Sequence, residues 1–183
     1  MPAGVTIRQV HDEDIPAITR IYAHYVLQTT ISFELDPPEE AEIDQRRKGV
    51  ERVGLPYLVA ELDERVAGYA YATPYRPRKA YRFTVEDSIY LDPAFTGRGI
   101  GRLLLQEIID SCTDLGYRQM IAVIGGSDNV PSIRLHQRLG FLPAGVLPSA
   151  GFKLGQWADS VLMQRPLGMG GTTLPDPSLF LSL

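Results

Sequence analysis

Three glycines at alternate positions, Gly97, Gly99 and Gly101, interrupt the run EDSIYLDPAFTGRGIGR at residues 86–102, between a short apolar stretch and an amphipathic one. A turn without β-carbons lets consecutive backbone N–H groups close around anionic oxygens. The positive end of a following helix adds to the attraction, so the chemistry offered here is phosphate binding. Two nucleotide motifs are excluded by the same residues. A Walker loop closes with Gly-Lys-Ser/Thr, whereas this chain has Gly101-Arg102-Leu103. A dinucleotide fingerprint counted from Gly99 needs Gly or Ala at position 104, which is leucine, and lacks its acidic residue on a second strand. A glycine-rich turn with no ligand is the plain alternative.

The elements that must position this turn are legible in periodicity. Residues 5–10 read as a strand, and His11-Asp12-Glu13-Asp14 caps a helix with Ile15, Ile18, Tyr22 and Tyr25 on one face. A second helix is expected over residues 38–53, then a hairpin of residues 57–62 and 66–73, then a strand over residues 82–91. The helix after the glycine turn carries Ile100, Leu104, Ile108 and Leu115 on a common face and ends at Gly116. Residues 119–124 form a buried strand, residues 125–129 a loop, and residues 131–139 a short helix. Extended chain follows from Phe141, with residues 161–164 as the last strand. Alternation of this kind predicts an α/β fold with a mixed, twisted sheet flanked by about four helices. Residues 1–166 make one domain, and residues 167–183, rich in Gly, Pro and Ser, read as a mobile tail.

Composition narrows the partners. A chain of 183 residues, 44% hydrophobic and 22% charged, buries one core, and a net charge of −4 argues against a general nucleic-acid surface. One cysteine, Cys112, excludes an internal disulfide, fits a reducing compartment and falls on an apolar helix face. No window suits a membrane span and the N-terminus has no secretory pattern, which places the protein in the cytoplasm. The three histidines and one cysteine make no recognisable metal set.

The run Thr96-Gly97-Arg98-Gly99-Ile100-Gly101 resembles the signature Gln/Arg-x-x-Gly-x-Gly/Ala of the GNAT acetyltransferases, with Thr96 in place of the usual first residue and Arg98 able to replace its contact. A second resemblance lies in Asn129, Ser132 and Leu139-Gly140-Phe141, with His136 where much of that superfamily has a tyrosine. Glu86 before Ser88-Ile89-Tyr90-Leu91, the run SIRLHQRLGF and the later AGFKLGQWADSVLMQ resemble the phosphinothricin and methionine sulfone or sulfoximine acetyltransferase branch, over about residues 7–166. The resemblance implies the GNAT fold, acetyl-CoA as co-substrate, no metal, and a homodimer. It implies cofactor contacts from Ile89, Tyr90, Leu91, Gly97, Arg98, Gly99, Ile100, Gly101, Arg102, Asn129 and Ser132.

Acetyl transfer from a thioester needs a neutral amine, because an ammonium has no lone pair. Glu86 is the expected base, its alternative being a solvated carboxylate beside Asp87. His136 is expected as general acid toward the thiolate or as a substrate ligand. The run Tyr75-Arg76-Pro77-Arg78-Lys79-Ala80-Tyr81-Arg82 holds four cations and no acid, which suits an anionic acceptor. The alternative is a solvated loop. The resemblance implies acceptor contacts from Arg76, Pro77, Arg78, Glu86, Asp87 and Ser88, with Phe33 and Glu34 completing the pocket, and Trp157 is expected as a packing residue. The implied reaction is direct transfer, in a ternary complex, to the α-amine of a small amino-acid analogue. A peptide N-terminus, a polyamine, or a non-catalytic acyl-CoA sensor are the alternatives.

Overall fold

The computed structural model describes residues 4–176 and 178–179. Seven strands, β1 (Val5–Gln9), β2 (Tyr57–Leu62), β3 (Arg65–Pro74), β4 (Thr84–Leu91), β5 (Gln119–Gly125), β6 (Leu142–Lys153) and β7 (Gln156–Pro166), form one sheet in the order β1-β2-β3-β4-β5-β7-β6. Four helices cover it: α1 (Ile15–Gln28), α2 (Glu40–Arg52), α3 (Ile100–Asp114) and α4 (Val130–Arg138). All neighbouring strands are antiparallel except β4 and β5. The expected α/β architecture with a mixed sheet is thus observed.

Each helix follows from its sequence. Ile15, Ile18, Tyr22 and Val26 bury one stripe of α1, while α2 anchors a mostly polar helix through Ile43 and Val50. Arg47 of α2 is also buried, and its guanidinium is satisfied by Asp44 and Asp12, each at 2.6 Å, and by Glu51 at 3.0 Å. In α3 the buried face is wider than expected, because Leu105, Ile109 and Cys112 join Ile100, Leu104 and Ile108. Leu115 does not belong to it: it caps the helix C-terminus, past the last turn that the sheet covers, and is 41% exposed.

Two further expectations are corrected. The strand over residues 82–91 starts at Thr84, because Lys79–Tyr81 closes a 3₁₀ turn first. The last strand is eleven residues long rather than four and pairs with β6 in a long hairpin. Pro143, Gly145, Pro148 and Gly151 disguise β6 in the sequence, and the register shifts between Pro143 and Gly145 and between Leu147 and Gly151. Past Pro166, Leu167 is buried and its N–H donates to the Arg118 carbonyl, while Arg118 Nη2 donates to Thr173.

Alternation along β4 sorts its residues between two faces. Tyr90 meets Tyr22 and Tyr25 of α1, so Glu86, Ser88 and Tyr90 face α1 and α2. Ile89 and Leu91 stand beside Gly101 of α3, so Asp87, Ile89 and Leu91 face α3 and α4. The parallel pairing of β4 with β5 covers only residues 84–87 against 119–122. Beyond it the strands part, leaving a V between the end of β4 and the end of β5.

Candidate active site

The glycine turn has the geometry that its composition requires. Gly97 and Gly99 sit at φ of +74° and +79°, where a β-carbon is strained, and Gly99 is the N-cap of α3. Nothing lies within 4 Å of where a Gly97 β-carbon would stand. Among the described residues the N–H groups of residues 97–101 find no backbone acceptor. A row of free donors at the positive end of a fifteen-residue helix fits a pyrophosphate. Gly101 is less constrained: an added β-carbon would meet Leu91 and Leu135 at 3.4 Å, an ordinary van der Waals contact. Arg98 lies over the Phe95 ring at 5.3 Å, and Arg102 is exposed on the first turn of α3.

The V between β4 and β5 holds a cavity of about 50 Å³ walled by Asp87, Ser88, Ile89, Tyr90, Gly125, Asn129, Ser132 and His136, among others. Its β4 edge is the unpaired backbone that an extended, amide-bearing arm would need. Tyr25 Oη fixes the end of that edge by donating to the Leu91 carbonyl at 2.7 Å. The loop after α1 closes the V, and it packs so tightly on Gly125 that an added β-carbon would lie 2.3 Å from the Ile31 carbonyl oxygen. Asn129 starts α4 by accepting from the Ser132 N–H at 3.4 Å.

Glu86 stands on the other face, half-buried, opposite Thr73 of β3. Burial and the adjacent Asp87 charge push its carboxyl up to about 7, against a smaller downward pull from Arg76. Such a group accepts a proton near neutrality. Arg76 is therefore within electrostatic reach of Glu86, with its guanidinium 5.1 Å from the Tyr75 ring centre. Pro77 and Arg78 are exposed beyond it. Thr73 and Tyr71, the partners of Glu86 and Ser88, also line a cavity of about 340 Å³ with Tyr22, Arg46, Tyr57 and Tyr69. Across it Glu34 accepts from Tyr22 Oη at 2.9 Å and from Arg46 Nη1 at 2.7 Å.

Asp87, expected beside the acceptor, turns away from it because neighbouring strand residues point to opposite faces. Its Oδ2 is 3.0 Å from His136 Nε2, and both side chains are 2% exposed. His136 Nδ1 donates to the Ser132 carbonyl at 2.8 Å. Burial alone would lower the His136 pKa, but the hydrogen bond and charge of Asp87 raise it above the ordinary value. His136 thus faces the V, not the tyrosine cavity, and both its ring nitrogens are engaged. Phe33 is half-exposed and packs its ring on Gly151 of β6, and Lys153 Nζ reaches from β6 to the Ser32 carbonyl at 2.6 Å. Trp157, expected to pack, is 67% exposed and meets Phe152 edge to face. Sequence reasoning missed Arg46, Tyr71 and Lys153, which converge only through the sheet and its hairpin.

A sheet that splays at a parallel pair, a helix N-terminus aimed at the splay, and a poised carboxylate on the opposite face define an acyltransferase that takes its acyl group from a coenzyme A thioester. The chain belongs to the acetyltransferase (GNAT) family, whose profile it matches over residues 18–141, and acetyl-CoA is its acyl donor. It is 56% identical over 171 residues to the phosphinothricin N-acetyltransferase of Alcaligenes faecalis, covering 93% of this chain and 87% of that one. It is 39% identical over 166 residues to the L-methionine sulfoximine/L-methionine sulfone acetyltransferase of Salmonella typhimurium, covering 89% and 95%. The crystal structure of a phosphinothricin acetyltransferase from Sinorhizobium meliloti in complex with AcCoA superposes with a TM-score of 0.94 at 47% identity, over 99% of this chain and 97% of that one.

Proposed function

We propose that the protein acetylates the α-amine of a small amino-acid analogue of the phosphinothricin, methionine sulfone or methionine sulfoximine type, and that it confers resistance to such compounds. The observation that carries this reading is Glu86: a carboxyl pushed up to about 7, within reach of Arg76, on the sheet face opposite the cofactor V. Glu86 takes the amine proton, Arg76 pairs with the acceptor's anionic group, and Tyr71 and Thr73 border the space for its side chain. The Ser88, Ile89, Tyr90 and Leu91 edge holds the donor's arm, and an N–H near Leu91 polarises the thioester carbonyl. Transfer is direct. Cys112 is buried with its thiol pushed up to about 12, which removes it as a nucleophile at neutral pH.

The experiment is thiol release from acetyl-CoA against phosphinothricin, methionine sulfone, methionine sulfoximine, a polyamine and an N-terminal peptide, with an amine-free control. Saturable release with one of the first three supports the reading. Release confined to the polyamine or the peptide overturns it.

We further propose that the working form is a cytoplasmic homodimer joined through the β6–β7 hairpin. Leu142, Val146, Leu147, Phe152 and Trp157 are all at least half-exposed there, an apolar concentration that a lone chain would present to water. Size-exclusion chromatography with light scattering is expected to give twice the chain mass of 20.3 kDa. Val146→Asp with Leu147→Asp is expected to give the single mass.

A further inference from the structure

The Asp87 carboxylate is the least conventional group at this site. It is fully withdrawn from water, its Oδ2 is bonded to His136 Nε2, and its Oδ1 has no hydrogen-bond partner among the described residues. A buried carboxylate left half-satisfied is destabilising unless a charge is shared with its partner. The tautomer of His136 is fixed by its other contact: the Ser132 carbonyl accepts and cannot donate, so Nδ1 carries a proton. An ionised Asp87 then requires a second proton on Nε2.

We infer that Asp87 is a positioning residue of the acetyl transfer, holding His136 doubly protonated on the donor face of the sheet while Glu86 works on the acceptor face. This rests on the reaction proposed above and assigns where its two protons are handled. Glu86 takes the proton that the amine nitrogen loses as the C–N bond forms. His136 supplies the proton that sulfur gains as the C–S bond breaks and its electron pair leaves with sulfur. It does so through the Ser132 hydroxyl, 3.4 Å from Nδ1 and on the cavity wall, which gives its proton to sulfur and takes the Nδ1 proton in return. The histidine is left neutral beside the Asp87 carboxylate, Glu86 is left protonated, and exchange with water restores both.

The charged and titratable groups around the pair are few. From β4 there is Glu86, on the opposite face but within electrostatic reach of Asp87, and from α3 the Cys112 thiol. From β5 the cavity receives only Ala122, Val123, Ile124 and Gly125, and Phe141 covers the ring edge to face at 5.0 Å. Among the described residues, then, Asp87 is the only carboxylate bonded to the ring.

The test is a ¹⁵N and ¹H NMR titration of the His136 ring in the full chain, without ligands, in the wild type and in Asp87→Asn, together with pH profiles of kcat. In the wild type the ring is expected to show both N–H protons and to lose one only above the ordinary histidine range. Asp87→Asn, which keeps the shape and removes the charge, is expected to lower that titration and the alkaline limb of kcat together, by about one to three pH units. The Kd for acetyl-CoA is expected to stay within about twofold. A wild-type ring titrating at or below the ordinary range overturns the inference, with no substitution needed. So does an Asp87→Asn enzyme slowed equally at every pH with its ring titration unmoved. An enzyme that turns over none of the amines would refute the substrate assignment alone, because the titration of His136 is read without turnover.

Discussion

At the scale of single residues, Glu86 and His136 can be singled out in the sequence because each sits inside a contiguous motif, whereas the pairing of Asp87 with His136 cannot. Those two residues are 49 positions apart, and their meeting depends on how far α4 leans over β4. The prediction at this scale concerns Glu86. Glu86→Gln is expected to lower kcat by about 10²-fold or more and to abolish the acid limb near pH 7, with acetyl-CoA affinity unchanged. Rates measured across pH 5–9, beside calorimetric titration of acetyl-CoA, check it; a lost affinity with an unchanged kcat would sink the assignment. The same raised pKa bears on stability. A carboxyl whose folded pKa lies above its unfolded value stabilises the fold below the unfolded value, and that contribution is lost as pH rises through about 7. Glu86→Gln is therefore expected to be more stable than the wild type at pH 8, by about 1–2 kcal/mol after solvent screening, and close to it at pH 4. Denaturant titrations at the two pH values read this directly.

Elements carry the second set of expectations. The helices, the first four strands and β5 were legible from apolar stripes and runs, because each helix buries one stripe while β2, β3 and β5, covered on both faces, bury most of their residues. The β6–β7 hairpin was hidden, since β6 is an edge strand exposed along most of its length and broken by prolines and glycines. Its role emerges only from pairing, through which Lys153 and Gly151 reach the loop bearing Ser32 and Phe33. The three glycines of the anion turn are predicted to respond differently. Gly97→Ala and Gly99→Ala each force a β-carbon into positive φ, costing about 1–2 kcal/mol, and are expected to weaken acetyl-CoA binding. Gly101→Ala meets only ordinary contacts within a helix and is expected to be near neutral for both. Gly125→Ala is a third case: the clash with the Ile31 carbonyl displaces the loop that closes the V. It is expected to lower the unfolding midpoint and raise the Kd for acetyl-CoA together, as thermal melts with and without the cofactor will tell.

For the whole molecule, the break in the sheet between β4 and β5 governs stability as well as binding. A ligand that occupies the V and the glycine turn binds the folded chain alone, so acetyl-CoA at 100 times its Kd is expected to add about 2.7 kcal/mol to the unfolding free energy. Hydrogen exchange should slow most at Ser88, Ile89, Tyr90 and Leu91 and at the first turn of α3, and little in α2. Uniform protection, or protection confined to α2, would place the cofactor elsewhere.

The alternation that sends Glu86 to one side of β4 and Asp87 to the other also separates what a substitution can change. On the reaction proposed above, substitutions around Tyr71, Arg46 and Arg76 are expected to change which amines are accepted while leaving acetyl-CoA affinity unmoved, which KM for each amine beside the Kd for acetyl-CoA will check. Substitutions on the α3 and α4 face are expected to alter the discharge without redrawing the pocket. One strand thus acts as a partition, with the tyrosine-lined cavity on one side and the V between β4 and β5 on the other.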